Sequence, residues 1–207
     1  MLRSASFDDP AIPLSGFAPD SGIWAAKNGA LEVSATSPLG DAASVFQIGD
    51  ALPVYYEMSA SVNIIKPTGG WKANSYLIFD YISKSDFKFA GVDISTNKLV
   101  MGHRNAQGWI IDSQTPFQAK AGTTYNMVLA VNGLSATLTV DNKVSISKTY
   151  GARVVDGYSY GLNWGLTGVG SDSARGTFDN ISVQVIAPEA TTVKTDELTT
   201  GPGAIFA

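Results

Sequence analysis

The chain has 207 residues, a formal net charge of −4, 44 % apolar residues and only 15 % charged ones. Its fourteen Lys and Arg are scattered singly, which excludes a nucleic-acid binder that works by neutralising a run of phosphates. Cysteine is absent, so disulfides, thiolate metal sites and Cys nucleophiles are excluded, and no apolar run reaches the roughly 18 residues of a membrane-crossing helix.

This length suits one all-β domain with a tail. The opening Met1–Ser6 carries no signal-peptide apolar region, and the chain is read as a segment of a longer secreted protein. From there strand signals recur every ten to fifteen residues. Ala30–Ala35 alternates after the Asn28-Gly29 turn, and Val54–Ile64 alternates over a longer stretch. Ser75–Ile82 and Phe87–Ile94 read as a hairpin across Ser83–Asp86. Lys98–Arg104 and Trp109–Asp112 flank a second turn at Asn105–Gly108, and Tyr125–Val131 meets Ala136–Val140 across Asn132–Ser135. Asp141-Asn142 turns that strand into Lys143–Ser147, and Tyr158–Leu166 and Thr177–Val185 close the series. Ten or eleven strands with hairpin connections predict an antiparallel two-sheet β-sandwich or jelly roll over residues 1–186. Residues 187–207 are Pro/Thr-rich, polar and aperiodic, and read as a linker to a further domain.

Three stretches carry a resemblance. Gly22-Ile23-Trp24 followed by Asn28-Gly29-Ala30-Leu31-Glu32-Val33 is the first. The second is Tyr125–Val131 with Asn132-Gly133 and Ala136–Asp141; the third is Thr177-Phe178-Asp179-Asn180-Ile181-Ser182-Val183. Together they resemble the concanavalin A-like (laminin-G-like) superfamily, over roughly residues 5 to 186. Phe79-Asp80-Tyr81, Asp86–Gly91 and Met101-Gly102-His103-Arg104 resemble modules embedded in large bacterial secreted and surface proteins. This fold hosts lectins, adhesive modules, glycosidases and lyases, so the resemblance speaks for fold more than for function.

An enzyme of this superfamily needs placed acids. Retaining glycosidases set two carboxyl groups about 5 Å apart, and the glucanases this chain resembles carry them as Glu-x-Asp-x-x-Glu. The four glutamates are Glu32, Glu57, Glu189 and Glu197, and they form no such motif. Asp80 with Asp93 is the only candidate pair on neighbouring strands. His103, the sole histidine, has no Gly-x-Ser-x-Gly nucleophile elbow to serve, and a lyase set of Tyr76, Tyr81, His103 and Arg104 lacks its motifs.

Binding fits the residue mixture better. A sugar has an apolar C–H face and a rim of hydroxyls, so its site needs rings and hydrogen-bonding groups together. Trp71 to Asp112 is the richest segment for that mixture, and the expected ligand residues are Trp71, Tyr76, Asp80, Asp93, His103, Arg104 and Trp109. Period-2 alternation puts Asn74, Tyr76, Ile78 and Asp80 on the open face, with Ser75, Leu77, Phe79 and Tyr81 on the core face. Phe79, Phe87, Phe89 and Trp164 are expected as core packing. The resemblance further implies adjacent termini, so that Asp8 and Asp9 would meet Asp179 around a structural Ca²⁺.

The expectation is an extracellular or cell-surface ligand-binding module of a larger bacterial protein, non-enzymatic and carbohydrate-binding, partnered by a glycan or cell-surface ligand and by neighbouring domains. A calcium-stiffened spacer or adhesin stalk, a glycan-active enzyme of the same fold, and a protein-binding adhesin site are its alternatives.

Overall fold

A computed structural model describes residues 1–9, 13–49 and 51–185. The linker expected over 187–207 lies outside the described residues. Two antiparallel sheets pack face to face. The front sheet runs, in spatial order, β10 (Gly108–Pro116), β9 (Lys98–Asn105), β8 (Asp86–Asp93), β7 (Asn74–Ser83), β16 (Leu166–Asp172), β5 (Asp41–Phe46) and β2 (Phe17–Ser21). The back sheet runs β13 (Val144–Thr149), β12 (Ser135–Val140), β11 (Thr124–Asn132), β6 (Tyr55–Ile64), β17 (Arg175–Gln184), β4 (Ala30–Ser34) and β3 (Ile23–Lys27). The short β1 (Arg3–Ala5) also pairs with β17, and β14 (Arg153–Val155) with β15 (Tyr158–Tyr160) forms a separate hairpin.

The hairpins sit where turn chemistry put them. Asn132 pairs with Ser135 across Gly133-Leu134, with Gly133 at φ 60°, a left-handed conformation that glycine adopts without strain. Alternation then builds the core. Tyr56, Met58, Ala60, Val62 and Ile64 of β6, with Met127, Leu129 and Val131 of β11, point at Leu77, Phe79, Ala90, Val92, Leu99 and Met101 of the front sheet. Each buried Val, Leu, Ile, Phe or Met among them is worth roughly 1.5–3 kcal/mol.

Described residues form seventeen strands rather than ten or eleven. Two of the added ones, β5 (Asp-Ala-Ala-Ser-Val-Phe) and β16 (Leu-Thr-Gly-Val-Gly-Ser-Asp), lie side by side within the front sheet, where both faces are covered. Small residues without alternation suit such positions and hide them from a period-2 reading. Tyr158–Leu166, expected as one strand, is divided: β15 ends at Tyr160 and β16 begins at Leu166.

Candidate functional site: a filled sheet face and an open groove

The front sheet's outer face is filled by its own side chains. Trp109 on β10 donates from Nε1 to Asp41 Oδ1 at 2.7 Å, and Arg104 on β9 donates from Nε and Nη2 to Asp41 Oδ2 at 3.0 and 2.8 Å. Asp41 opens β5, four strand positions from β9 and five from β10. At about 4.8 Å per strand a flat sheet would hold them roughly 19–24 Å apart, beyond the reach of either side chain. The sheet therefore curls, and this face is concave. The Trp109 ring closes the trough, with centroids 5.2 Å from Tyr76, 5.2 Å from Phe87 and 4.8 Å from Phe89. Glycine makes room beneath: a Cβ at Gly91 would stand 2.9 Å from Tyr76 Cδ1, and one at Gly102 2.7 Å from Phe89 Cζ.

The residues expected to bind ligand are thus dispersed. Tyr76 is buried in this trough rather than open, and both oxygens of Asp41, a residue not singled out from the sequence, are spent on Trp109 and Arg104. His103 points to the opposite side of β9 from Arg104, with Nδ1 2.9 Å from Asp112. Trp71 lies before β7 under the Arg175 guanidinium, 4.7 Å away. Asp93 is half-buried, binds Thr96 Oγ1 at 2.9 Å and leaves Oδ1 buried with no hydrogen-bond partner; that burial raises its pKa above the usual carboxylate range. Phe87 and Phe89 are buried as expected, but in the concave trough and not between the sheets.

Asp80 departs furthest from expectation. The alternating pattern put it on the open face, yet its side chain is 1 % exposed. A register shift between Phe79 and Ser83, with Asp80 at φ 46°, breaks the period. The bulge turns Asp80 inward and moves Tyr81 from the expected core face onto the concave face beside Phe87. Lys88 Nζ reaches Asp80 Oδ2 at 2.5 Å and Arg153 Nη2 reaches it at 3.0 Å. Arg153 also grips Asp86 through two bonds of 2.9 and 3.0 Å, which hold the Asp86 carboxyl below its usual range. Asp80 and Asp93 cannot act as a pair of catalytic acids. Asp93 pairs with Asn74, six residues along β7, placing the two carboxylates roughly 20 Å apart.

From this buried cluster rises a half-exposed aromatic pair. The Gly165 N–H donates to Asp80 Oδ1 at 3.3 Å, and a Cβ at Gly165 would lie 2.4 Å from the Asp80 carbonyl carbon. That close approach, with Leu162 anchored in the core, turns Trp164 outward. Trp164 was expected to be packed; it is 48 % exposed and lies against Tyr160 with ring centroids 4.0 Å apart. The pair lines a largely apolar groove of about 470 Å³ with Gln47, Leu52, Asn163 and Leu166. Asn163 is held by its Nδ2 donating to the Leu52 carbonyl at 2.9 Å. Glycines on both sides of Leu162-Asn163-Trp164 were the one sequence signal for this loop, and they fit tight packing equally well.

On the back sheet, a Cβ at Gly29 would lie 3.2 Å from Asp8 Oδ1, and Gly29 shares a shallow hollow with Asp179. Asp179 receives the Asn180 N–H at 2.7 Å. Among the described residues no three His, Cys, Asp or Glu side chains gather to hold an ion.

Two antiparallel sheets in this order make the chain a β-sandwich with the fold of the concanavalin A-like and galectin-like lectins. No protein-family model and no curated protein sequence matches it. Among solved structures it is similar to the carbohydrate binding module CBM66 from Bacillus subtilis, with a TM-score of 0.67 and 13 % identity over 82 % of this chain and 95 % of that one. The exoplasmic/lumenal domain of VIP36, in a form bound to Ca²⁺ and Man3GlcNAc, aligns with a TM-score of 0.60 and 11 % identity over 93 % and 92 % of the two chains. A part of the GH43 protein BlXynB (K247S mutant) from Bacillus licheniformis also aligns, with a TM-score of 0.57 and 10 % identity over 88 % of this chain and 39 % of that one.

Proposed function

We propose that this chain is a carbohydrate-binding module and that its contact surface is the groove headed by Trp164 and Tyr160. The observation that carries the reading is the half-exposed Trp164 ring, packed against Tyr160 beside the Gln47 and Asn163 side chains. A ring open to solvent offers an apolar platform for a sugar's C–H face, and neighbouring amides offer partners for its hydroxyls. The fold it shares with a carbohydrate binding module, and with a domain crystallised with Man3GlcNAc, supports the same reading. The wide separation of Asp80 and Asp93 favours binding over glycoside hydrolysis. In this reading the module is extracellular and part of a longer chain.

A glycan array of the purified chain, run in calcium and again in EDTA, tests it. Binding by the native chain is expected, with loss in Trp164→Ala at an unchanged thermal midpoint. Binding that survives Trp164→Ala and fails in Trp109→Phe returns the site to the concave face. Silence toward every glycan, with a thermal midpoint raised by calcium, makes the chain a structural spacer.

A further inference from the structure

The groove does not end at Leu166. A second hollow of about 570 Å³ lies on the far side of Leu166 and Gln47, and both residues line the two hollows together. Leu166 pairs with Tyr81 across the β16–β7 ladder, so the second hollow opens directly beside the first, on the concave face of the neighbouring strand. The first falls within the roughly 300–1,000 Å³ of a small-ligand cleft, and the second is the more open of the two.

Their linings differ in kind. The first is mostly apolar around Trp164 and Tyr160; the second adds Asp20, Tyr81, Ser83 and Lys84 to Val45 and Leu166. The Tyr81 hydroxyl donates to Asp20 Oδ2, which fixes both groups at the rim of the second hollow. Burial, with Asp20 next to it, raises the Tyr81 pKa, so the hydroxyl stays a neutral donor and acceptor at any physiological pH. One carboxylate and one ammonium leave the second hollow without net charge, a poor match to a polyanion. Leu166, 52 % exposed, forms an apolar saddle between the two hollows.

Resting on the carbohydrate reading of this groove, we infer that its ligand is a neutral oligosaccharide of at least two residues lying across Leu166. One ring stacks on Trp164, and the next directs its hydroxyls to Asp20, Tyr81, Ser83 and Lys84. A site built this way reads an extended stretch of chain rather than a single terminal sugar, and affinity grows as the second hollow fills.

The test uses the native chain and neutral gluco-, manno- and fructo-oligosaccharides of one to six residues. Calorimetry and Trp164 fluorescence, taken as the native signal minus that of Trp164→Ala, are the readouts. Affinity is expected to rise at least tenfold between one residue and three. Asp20→Ala, on the edge strand β2, and Lys84→Ala are expected to remove most of that gain while Trp164 still responds to a single sugar. Equal affinity for one residue and for three, with Trp164 still responding, overturns the two-hollow inference and leaves the carbohydrate reading intact. A gain with length that survives both Asp20→Ala and Lys84→Ala also overturns it. No response to any sugar of any length overturns both.

Discussion

The Gly165 amide is bonded to a carboxylate 85 residues away, that of Asp80, and the backbone of each lies against the other. Arg153 holds the same carboxylate from the β14–β15 hairpin, so one buried side chain fixes both the loop bearing Trp164 and the hairpin bearing Tyr160. Asp80, expected as a ligand contact, is instead a positioning residue for the aromatic pair.

Asp80→Asn leaves Lys88 and Arg153 facing a neutral amide in a closed environment. Breaking a buried ion pair by removing one partner costs about 3–5 kcal/mol, and the partial exposure of the two cations (15 % and 20 %) puts this case near the lower figure. Urea unfolding checks the magnitude. A shift in Trp164 emission in the still-folded variant checks the positioning role, because a merely structural loss would leave the native spectrum unchanged.

Gly165→Ala places a methyl group 2.4 Å from the Asp80 carbonyl carbon. Backbone must move, at a cost of about 1–3 kcal/mol for overpacking. The loop carries Trp164 with it, so glycan affinity is expected to fall more than tenfold while the unfolding midpoint drops only moderately. Unchanged affinity would detach the groove from Trp164.

Trp109 separates the concave face from the groove. Trp109→Ala empties the trough above Tyr76, Phe87 and Phe89 and is expected to cost about 3–5 kcal/mol. Trp109→Phe keeps a ring and loses the bond to Asp41, for about 1–2 kcal/mol. Neither change touches the hollow lined by Trp164 and Tyr160, so single-sugar affinity measured on the folded fraction stays within twofold of native.

Asp93 ionises against its surroundings. Burial raises its folded pKa above the unfolded value, so the folded state holds the proton more tightly; stability from this group is present below the unfolded pKa and lost as pH rises through the folded one. Asp93→Asn keeps an acceptor for Thr96 and adds an NH₂ in place of the unpartnered oxygen. The variant is expected to melt a few degrees higher at pH 7 and to lose that advantage below about pH 4. A lower midpoint at pH 7 would contradict it.

Asp86 works with the opposite sign. The bond from Arg153 lowers its folded pKa, so its contribution is present above the unfolded pKa and is lost as pH falls through the folded one. Thermal melts from pH 6 down to pH 2 should lose stability in that range, and Asp86→Asn should flatten the slope. Because Asp86 anchors Arg153, the Tyr160–Trp164 pair should loosen in the same range, visible as a change in tryptophan emission before the main transition.

Much of this protein was legible in its sequence because the responsible physics is local. Alternation in Val54–Ile64 and Tyr125–Val131 becomes the buried face of β6 and β11, and the turn residues at Ser83–Asp86, Asn105–Gly108 and Asn132–Ser135 become hairpins. A period of two and a preference for tight turns need no partner to be read. The mixture of rings and polar groups between Trp71 and Asp112 was equally visible, but its arrangement was not. Asp41 meets Trp109 and Arg104 only because seven strands curl, and Tyr76 is buried for the same reason. One bulge at Asp80 reversed the faces of Asp80 and Tyr81, since a single extra residue flips everything after it. Trp164 is exposed because Gly165 rests on a residue 85 positions away. Local pattern determined the alternating, hairpin-linked strands; sheet curvature and long-range backbone contact decided which rings fill the trough and left Trp164 open at the groove.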